Sequence, residues 1–162
     1  GEGRDLLGVL ADHPRAGDVT ARLVELDPEL SGSSAANAPA CVEVVCGDAS
    51  TTDAFAGAVP ADLVLVCGIF GNVVDDDIRN TVRVLPSLCT PGAIVVWTRH
   101  RRAPDLTVEI RKWFAATGFD EIAFTGSDED LYGVGAHRLA APPAAFVPDV
   151  RLFTFVGYDT LR

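Results

Sequence analysis

Basic residues are scarce in this 162-residue chain, with 13 Lys plus Arg against 23 Asp plus Glu and a formal net charge of -10. A sequence-independent nucleic-acid binder needs a basic face to displace phosphate counterions, so this balance argues against that class and for a small-molecule partner. Lysine is nearly absent: Lys112 stands beside twelve arginines. With abundant Ala, Val, Asp and Gly, that bias points to a GC-rich bacterial genome. Long apolar runs are missing too. LVLVCGIF and AIVVW are far too short to span a bilayer, so no membrane partner is expected. The four cysteines contain no CxxC pair and no Cys/His spacing of the kind zinc needs. Cys41 and Cys46, five apart on an expected strand, would sit roughly 16 Å apart at about 3.3 Å per residue, which excludes a bridge between them. Cys67 and Cys89 belong to apolar segments and read as small core residues. A reducing cytoplasm is the expected compartment. There is no internal repeat, coiled coil or low-complexity tract beyond LAAPPAAFVP.

What is present is a regular alternation. Hydrophobic residues make up 48% of the chain, enough for one domain, residues 1–162, with a substantial core. Leu6, Leu7 and Leu10 share a helical face over residues 4–11 before HPRAGD breaks the run. ARLVELD, residues 21–27, reads as a strand, and Asp27-Pro28 offers an N-cap with proline at the first helical position. Because SGSSAANAP is poor helix material, that helix is expected to be stunted. CVEVVCGD, residues 41–48, is the next strand, followed by a short helix over residues 51–58. ADLVLVCG, residues 61–68, and AIVVWT, residues 93–98, are nearly unbroken apolar runs, the pattern of parallel strands buried on both faces by helices.

Between those strands, Ile78, Val82, Leu85 and Cys89 fall on one helical stripe opened by Asp75, Asp76 and Asp77 and closed by Pro91-Gly92. Leu106, Ile110, Trp113 and Phe114 repeat the logic in a helix ending at Gly118. The tail differs: DEIAFTG, GVGAHRL and RLFTFVGY are strand-like pieces joined by short loops, which must pair antiparallel. The residues alone thus describe an α/β fold, a mostly parallel sheet with an antiparallel C-terminal edge.

In such a sheet, ligands bind at the carboxyl ends of the strands beside the switch point. That rule selects Gly1-Glu2-Gly3, Glu25-Leu26-Asp27, Gly47-Asp48-Ala49 and residues 67–72. Gly1 and Gly3 let the backbone turn sharply and approach a ligand closely. Glu25 lies 22 residues after Gly3, where a carboxylate can accept both hydroxyls of a ribose. Asp48 can accept from an exocyclic amine while the Ala49 N–H donates to a ring nitrogen. Singly, a glycine pair is often a turn and a strand-ending aspartate often a cap. In this order and spacing they describe an adenosine site.

GEGRD, VELDPEL, GDAS and ADLVLVCGIFGN, with an antiparallel tail, together resemble the class I S-adenosylmethionine-dependent methyltransferases over almost the whole chain. The resemblance implies a three-layer Rossmann-like sandwich and S-adenosyl-L-methionine as cofactor. It implies that Gly1 and Gly3 pass along the methionine part, Glu25 holds the ribose and Leu26 packs on adenine. Asp48 and Ala49 would read the adenine edge, Cys67 and Gly68 would flank the methyl donor, and Phe70 and Asn72 would sit beside the substrate. On that pattern the family's first strand and N-terminal substrate-capping helices are expected upstream of Gly1. A nicotinamide dehydrogenase is the nearest competitor. Its fingerprint wants Gly or Ala where Leu6 stands, so Leu6, the GDA segment and the tail weigh against an NAD(P)-dependent oxidoreductase.

The catalytic signals are thinner. His100, in the run Arg99-His100-Arg101-Arg102 after a strand, can act as a base, with Arg99 and Arg101 holding a substrate carboxylate or phosphate. A solvated basic loop fits that run equally well. Tyr132 lines the acceptor pocket or is simply an exposed hairpin residue. His137 reads as a hydrogen-bonded edge-strand histidine, and His13 as a helix-end residue. Asp75, Asp76 and Asp77 read as dipole-favoured capping rather than a metal site. Trp97 and Trp113 read as core. LFTF forms either a homodimer edge or an intramolecular contact. Two function classes remain: a small-molecule methyltransferase, and a cofactor-binding, non-catalytic regulatory or scaffold domain.

Overall fold

Two parallel strands, β1 (Ala21–Glu25) and β2 (Val42–Cys46), run in register from Ala21 opposite Val42 to Glu25 opposite Cys46. The computed structural model to which they belong describes residues 3–127 and 131–156. Helix α1 (Arg4–Leu10) precedes β1, and α2 (Pro28–Asn37) crosses from β1 to β2. Expected to be stunted, α2 runs for ten residues. Asp27 Oδ1 accepts the backbone N–H groups of Glu29 and Leu30 at 2.8 and 3.2 Å, which satisfies the first turn. Ser31 and Ser34, weak helix formers in isolation, are buried on it, so tertiary contact overrides propensity.

A second sheet has the order β3–β4–β6–β5, with β3 (Ala61–Val66), β4 (Cys89–His100), β5 (Phe119–Thr125) and β6 (Tyr132–Leu139). β3 and β4 are parallel, and β6 runs antiparallel to both its neighbours. The fold is therefore α/β with a mixed sheet and the antiparallel C-terminal portion that the loop lengths require. No ladder joins the two sheets: β1 pairs only with β2, and β3 only with β4, among the described residues.

Helices α3 (Asp75–Val84) and α4 (Thr107–Ala116) cover one face of the larger sheet. Ile78 and Val82 of α3 and Ile110 and Phe114 of α4 meet Ala93, Val95 and Trp97 of β4 in the main core. Alternate residues of β4 are fully and partly buried, so Arg99 falls on the inner face and His100 on the outer. Three expectations need correcting here. Cys89 opens β4 instead of closing the helical stripe, because Pro86 lacks the N–H that would continue α3 and residues 85–88 tighten into a 3₁₀ turn. Residues 52–55 likewise form only a 3₁₀ turn. Leu63 and Leu65 of β3 are exposed at 51% and 37%, so β3 is not buried on both faces.

The four cysteines are free, and burial pushes the Cys89 thiol up to about 11, leaving it inert. Of the segment RLFTFVGY, the described residues 151–156 form no strand. Arg151 makes an isolated bridge to Thr51, and the chain then passes across α3 with Leu152 and Phe153 buried in the core. Gly157 and Tyr158 lie outside the described residues.

His137 occupies the interior of the sheet, not its edge, because β6 inserts between β4 and β5. Its ring stacks 4.3 Å from Phe114, and neither nitrogen has a hydrogen-bond partner among the described residues. Burial lowers its pKa; Glu121 on β5 opposes the shift and Arg111 on α4 adds to it. The unfolded chain titrates near the ordinary value of about 6.5, so below that pH unfolding takes up a proton. His137 stability is complete above that value and lost as pH falls through the depressed folded value. Thermal melts of parent and His137→Phe at pH 7.5 and 5 should show a smaller acid loss in the variant. Identical losses would remove His137 as the acid-sensitive group.

Candidate functional site

Gly3 caps α1 with φ at 64°, and a Cβ there would lie 2.5 Å from Leu23 Cδ2. Only glycine permits the loop to rest this closely on β1. Its carbonyl accepts the N–H groups of Leu6 and Leu7 at 3.0 and 2.8 Å. Gly1, expected beside it, lies outside the described residues.

Glu25 ends β1 and is only 8% exposed. Its Oε1 accepts the Asp27 N–H at 3.1 Å. Burial would raise this carboxyl, but hydrogen bonds to it, including those from the Asp27 and Leu26 N–H groups, outweigh that effect and hold it below the ordinary carboxylate value. The group is thus a charged acceptor at neutral pH. Leu26, the next residue, is 61% exposed, an apolar surface beside the carboxylate.

The end of β2 is locked to the end of β1. Gly47 donates its N–H to the Glu25 carbonyl at 2.9 Å. Asp48 follows, exposed, with Oδ1 accepting the Ser50 N–H at 2.9 Å. Its pKa is lowered chiefly by the hydrogen bonds from Ser50, with the Arg151 charge contributing. Ala49 packs partly buried against the core. Glu25, Leu26, Asp48 and Ala49 therefore meet at one end of the β1–β2 pair, with Gly3 against β1.

The loop after β3 is wound on itself. Gly68, with φ at 74° and open space where a Cβ would stand, donates its N–H to Thr98 Oγ1 at 3.0 Å. Asn72 Nδ2 donates to the Gly68 carbonyl at 2.7 Å, and the Asn72 N–H donates to Ile69 O at 2.8 Å. Cys67, half-buried, begins this turn. Asn72 thus shapes the loop, and Thr98 anchors it to β4. Thr98 passed unnoticed in the sequence, although strand parity places it on the outer face with His100.

Three expected substrate contacts turn elsewhere. Phe70 is fully buried, its ring centroid 6.2 Å from that of Trp97, so it is a core residue and lines no open site. Arg99 is buried on the inner face and donates through Nη1 to the Phe70 carbonyl, bracing the loop from beneath. Arg101 pairs with Asp105 at 2.9 Å and donates to the carbonyls of Gly126 and Ser127. Its guanidinium holds protein groups in place of a substrate anion.

His100 lies over Gly71, where a Cβ would be 3.2 Å from its Cδ2. Burial, then the charges of Arg99 and Arg102, lower its pKa against the opposing Asp105. The ring is neutral at pH 7 and able to take a proton. Tyr132 faces it across the β4–β6 ladder and is 59% exposed. Asp75, Asp76 and Asp77 fill the first turn of α3, and no group of three or more His, Cys, Asp or Glu among the described residues is arranged to hold a metal. No described helix is long and apolar enough to cross a membrane.

The chain matches no family model, and no curated protein is similar to it in sequence. Solved structures are similar in fold. An O-methyltransferase family protein from Burkholderia thailandensis superposes with a TM-score of 0.67 at 17% identity, over 87% of this chain and 49% of that one. The N-methyltransferase NodS from Bradyrhizobium japonicum gives 0.57 at 10% identity, over 86% of this chain and 97% of that one. This chain shares its fold with these methyltransferases. NodS is also known in complex with S-adenosyl-L-homocysteine. A 16S rRNA (adenine(1408)-N(1))-methyltransferase from Catenulisporales acidiphilia gives 0.59 at 16% identity, over 89% of this chain and 83% of that one. The chain thus spans about half the length of the Burkholderia protein and most of the other two.

Proposed function

We propose that this domain binds S-adenosylmethionine and transfers its methyl group to a small-molecule acceptor in a bacterial cytoplasm. The observation that carries the reading is the pair of carboxylates, Glu25 and Asp48, on adjoining strand ends tied by the Gly47–Glu25 hydrogen bond. The residues fit the cofactor. Glu25 suits a ribose diol, exposed Leu26 an adenine face, and Asp48 with the Ala49 N–H an adenine edge. Gly3 brings the backbone against β1 where a side chain cannot fit, and Gly68 leaves space at the loop that begins with Cys67.

When bound, S-adenosylmethionine supplies an electrophilic methyl whose carbon–sulfur bond breaks as the acceptor's lone pair bonds to it, leaving a neutral thioether. The chain's contribution is alignment and exclusion of water. On this reading neutral His100 takes the proton of a hydroxyl acceptor, with Tyr132 opposite it on β6. The negative net charge supports a small acceptor over nucleic acid. A second reading, a cofactor-binding domain without catalysis, is favoured by the burial of Phe70 and Arg99, which leaves less of the acceptor side open.

Calorimetric titration with S-adenosylmethionine, S-adenosylhomocysteine and NADH tests the site. Micromolar binding of both sulfur compounds, with none for NADH, is the expected result. Silence toward both from a folded protein would leave only the fold. Turnover against an acceptor panel then separates the catalytic from the non-catalytic reading.

A further inference from the structure

The loop after β2 and the loop after β3 belong to sheets that share no ladder among the described residues, yet one segment is hydrogen-bonded to both. Thr52 Oγ1 donates to Val147 O at 2.8 Å, and the Thr52 N–H donates to Val150 O at 3.0 Å. The Val150 N–H returns to Thr52 Oγ1 at 3.0 Å, and the Leu152 N–H donates to Ser50 O at 2.8 Å. Arg151 Nη1 adds a bond to Ser50 Oγ at 2.8 Å.

The segment then crosses α3. Asn80 Nδ2 donates to the carbonyls of Arg151 and Leu152, both at 2.9 Å. Thr81 Oγ1 reaches Leu152 O at 3.0 Å, and Asp77 Oδ2 accepts the Thr154 N–H at 2.8 Å. The Val156 N–H finally donates to Asn72 O at 3.1 Å, on the loop that carries Gly68.

We propose that residues 147–156 form a strap that sets the adenosine half of the site against the methyl-donor half, with Asp77 and Asn80 as its positioning residues. The inference rests on the cofactor reading above. Asp77, Asn80 and Thr81 are three and four apart, hence on one face of α3, and all three bond to strap backbone. Burial of Leu152 and Phe153 alone would hold the segment down without fixing its register, since apolar contact is non-directional. The Asn80 amide is itself oriented, because Arg83 Nη2 donates to its Oδ1 at 2.8 Å. Directional bonds on both carbonyls of consecutive residues fix where the strap can sit, and so how far apart it holds its two ends.

The test uses the whole chain, with Asn80→Ala, Asp77→Ala and Asp77→Asn variants whose folding is checked by circular dichroism. Hydrogen exchange is read at Ser50 and Gly68, whose amides bond to Asp48 and Thr98 and not to the strap. Faster exchange at both amides in Asn80→Ala, with S-adenosylhomocysteine binding weakened about fivefold or more, is expected. Asp77→Asn, which keeps an acceptor oxygen, should restore most of what Asp77→Ala loses. Faster exchange confined to strap amides, or affinity within about twofold of the parent, overturns the proposal. If the parent itself binds no S-adenosylhomocysteine, the cofactor reading falls. The exchange measurement then decides alone, joint loosening of the two loops supporting the strap and loosening of the strap only rejecting it.

Discussion

Trp97→Ala should lower stability by roughly 3–5 kcal/mol, a large share of the roughly 5–15 kcal/mol that holds a typical domain. Trp97 is fully buried on β4, an inner strand of the larger sheet. Its ring stacks with Phe114 of α4 at 6.2 Å and with His137 of β6 at 6.1 Å, and meets Phe70 and Phe124 at 6.2 and 6.0 Å. Removing it leaves a void bounded by four rings, which a close-packed interior closes only in part. A thermal or urea melt reads the effect, and a loss under about 1 kcal/mol would show that the cluster collapses around the gap.

The same ring accounts for Gly135. A Cβ at that position would lie 2.4 Å from Trp97 Cε2 and 2.5 Å from Cζ2, closer than real contacts allow. Gly135→Ala alone should therefore cost roughly 1–3 kcal/mol by overpacking. In the Trp97→Ala background the added methyl enters vacated space. The double variant should then fall short of the sum of the two single losses, whereas simple additivity would place the glycine's importance in backbone freedom instead of ring contact.

Much of this was legible because it depends on local rules. Asp27-Pro28 announced a helix start, the acidic run at Asp75 a first turn, and the short loops after Gly118 antiparallel pairing. The strand ends that carry Glu25 and Asp48 were readable for the same reason, since each closes a short run of strand-forming residues. What escaped was set by partners distant in sequence. Nothing local says that β6 inserts between β4 and β5, so His137 read as an edge residue. RLFTFVGY carries an apolar pattern fit for a strand, but its backbone groups bond to side chains of α3 some seventy residues earlier. Arg99 and Phe70 were misplaced although a signal existed: counting by two from Trp97 puts Arg99 on the inner face, where a guanidinium must find a carbonyl.

The second large effect concerns Glu25. Glu25→Gln keeps the size of the side chain and an oxygen for the Asp27 N–H, and removes only the charge. Hydrogen bonds to charged groups contribute about 1.5–3 kcal/mol, so S-adenosylhomocysteine affinity should fall by roughly 10- to 150-fold. On the proposed cofactor reading, the variant tests whether Glu25 holds the ribose and not the identity of the cofactor, because a dinucleotide would use the same carboxylate. That identity rests on the ligand panel and on Leu6, too large for the close helix–strand contact a dinucleotide fold needs. Stability should respond as well. The folded Glu25 carboxyl sits below its ordinary value, so its ionised form stabilises the fold above the unfolded pKa, and that contribution is lost as pH falls through the folded one. Glu25→Gln should therefore melt below the parent at pH 7 and approach it in acid. A variant that binds as the parent does, while showing this change in melting, would confine Glu25 to joining the ends of β1 and α2 and move the ribose to another acceptor.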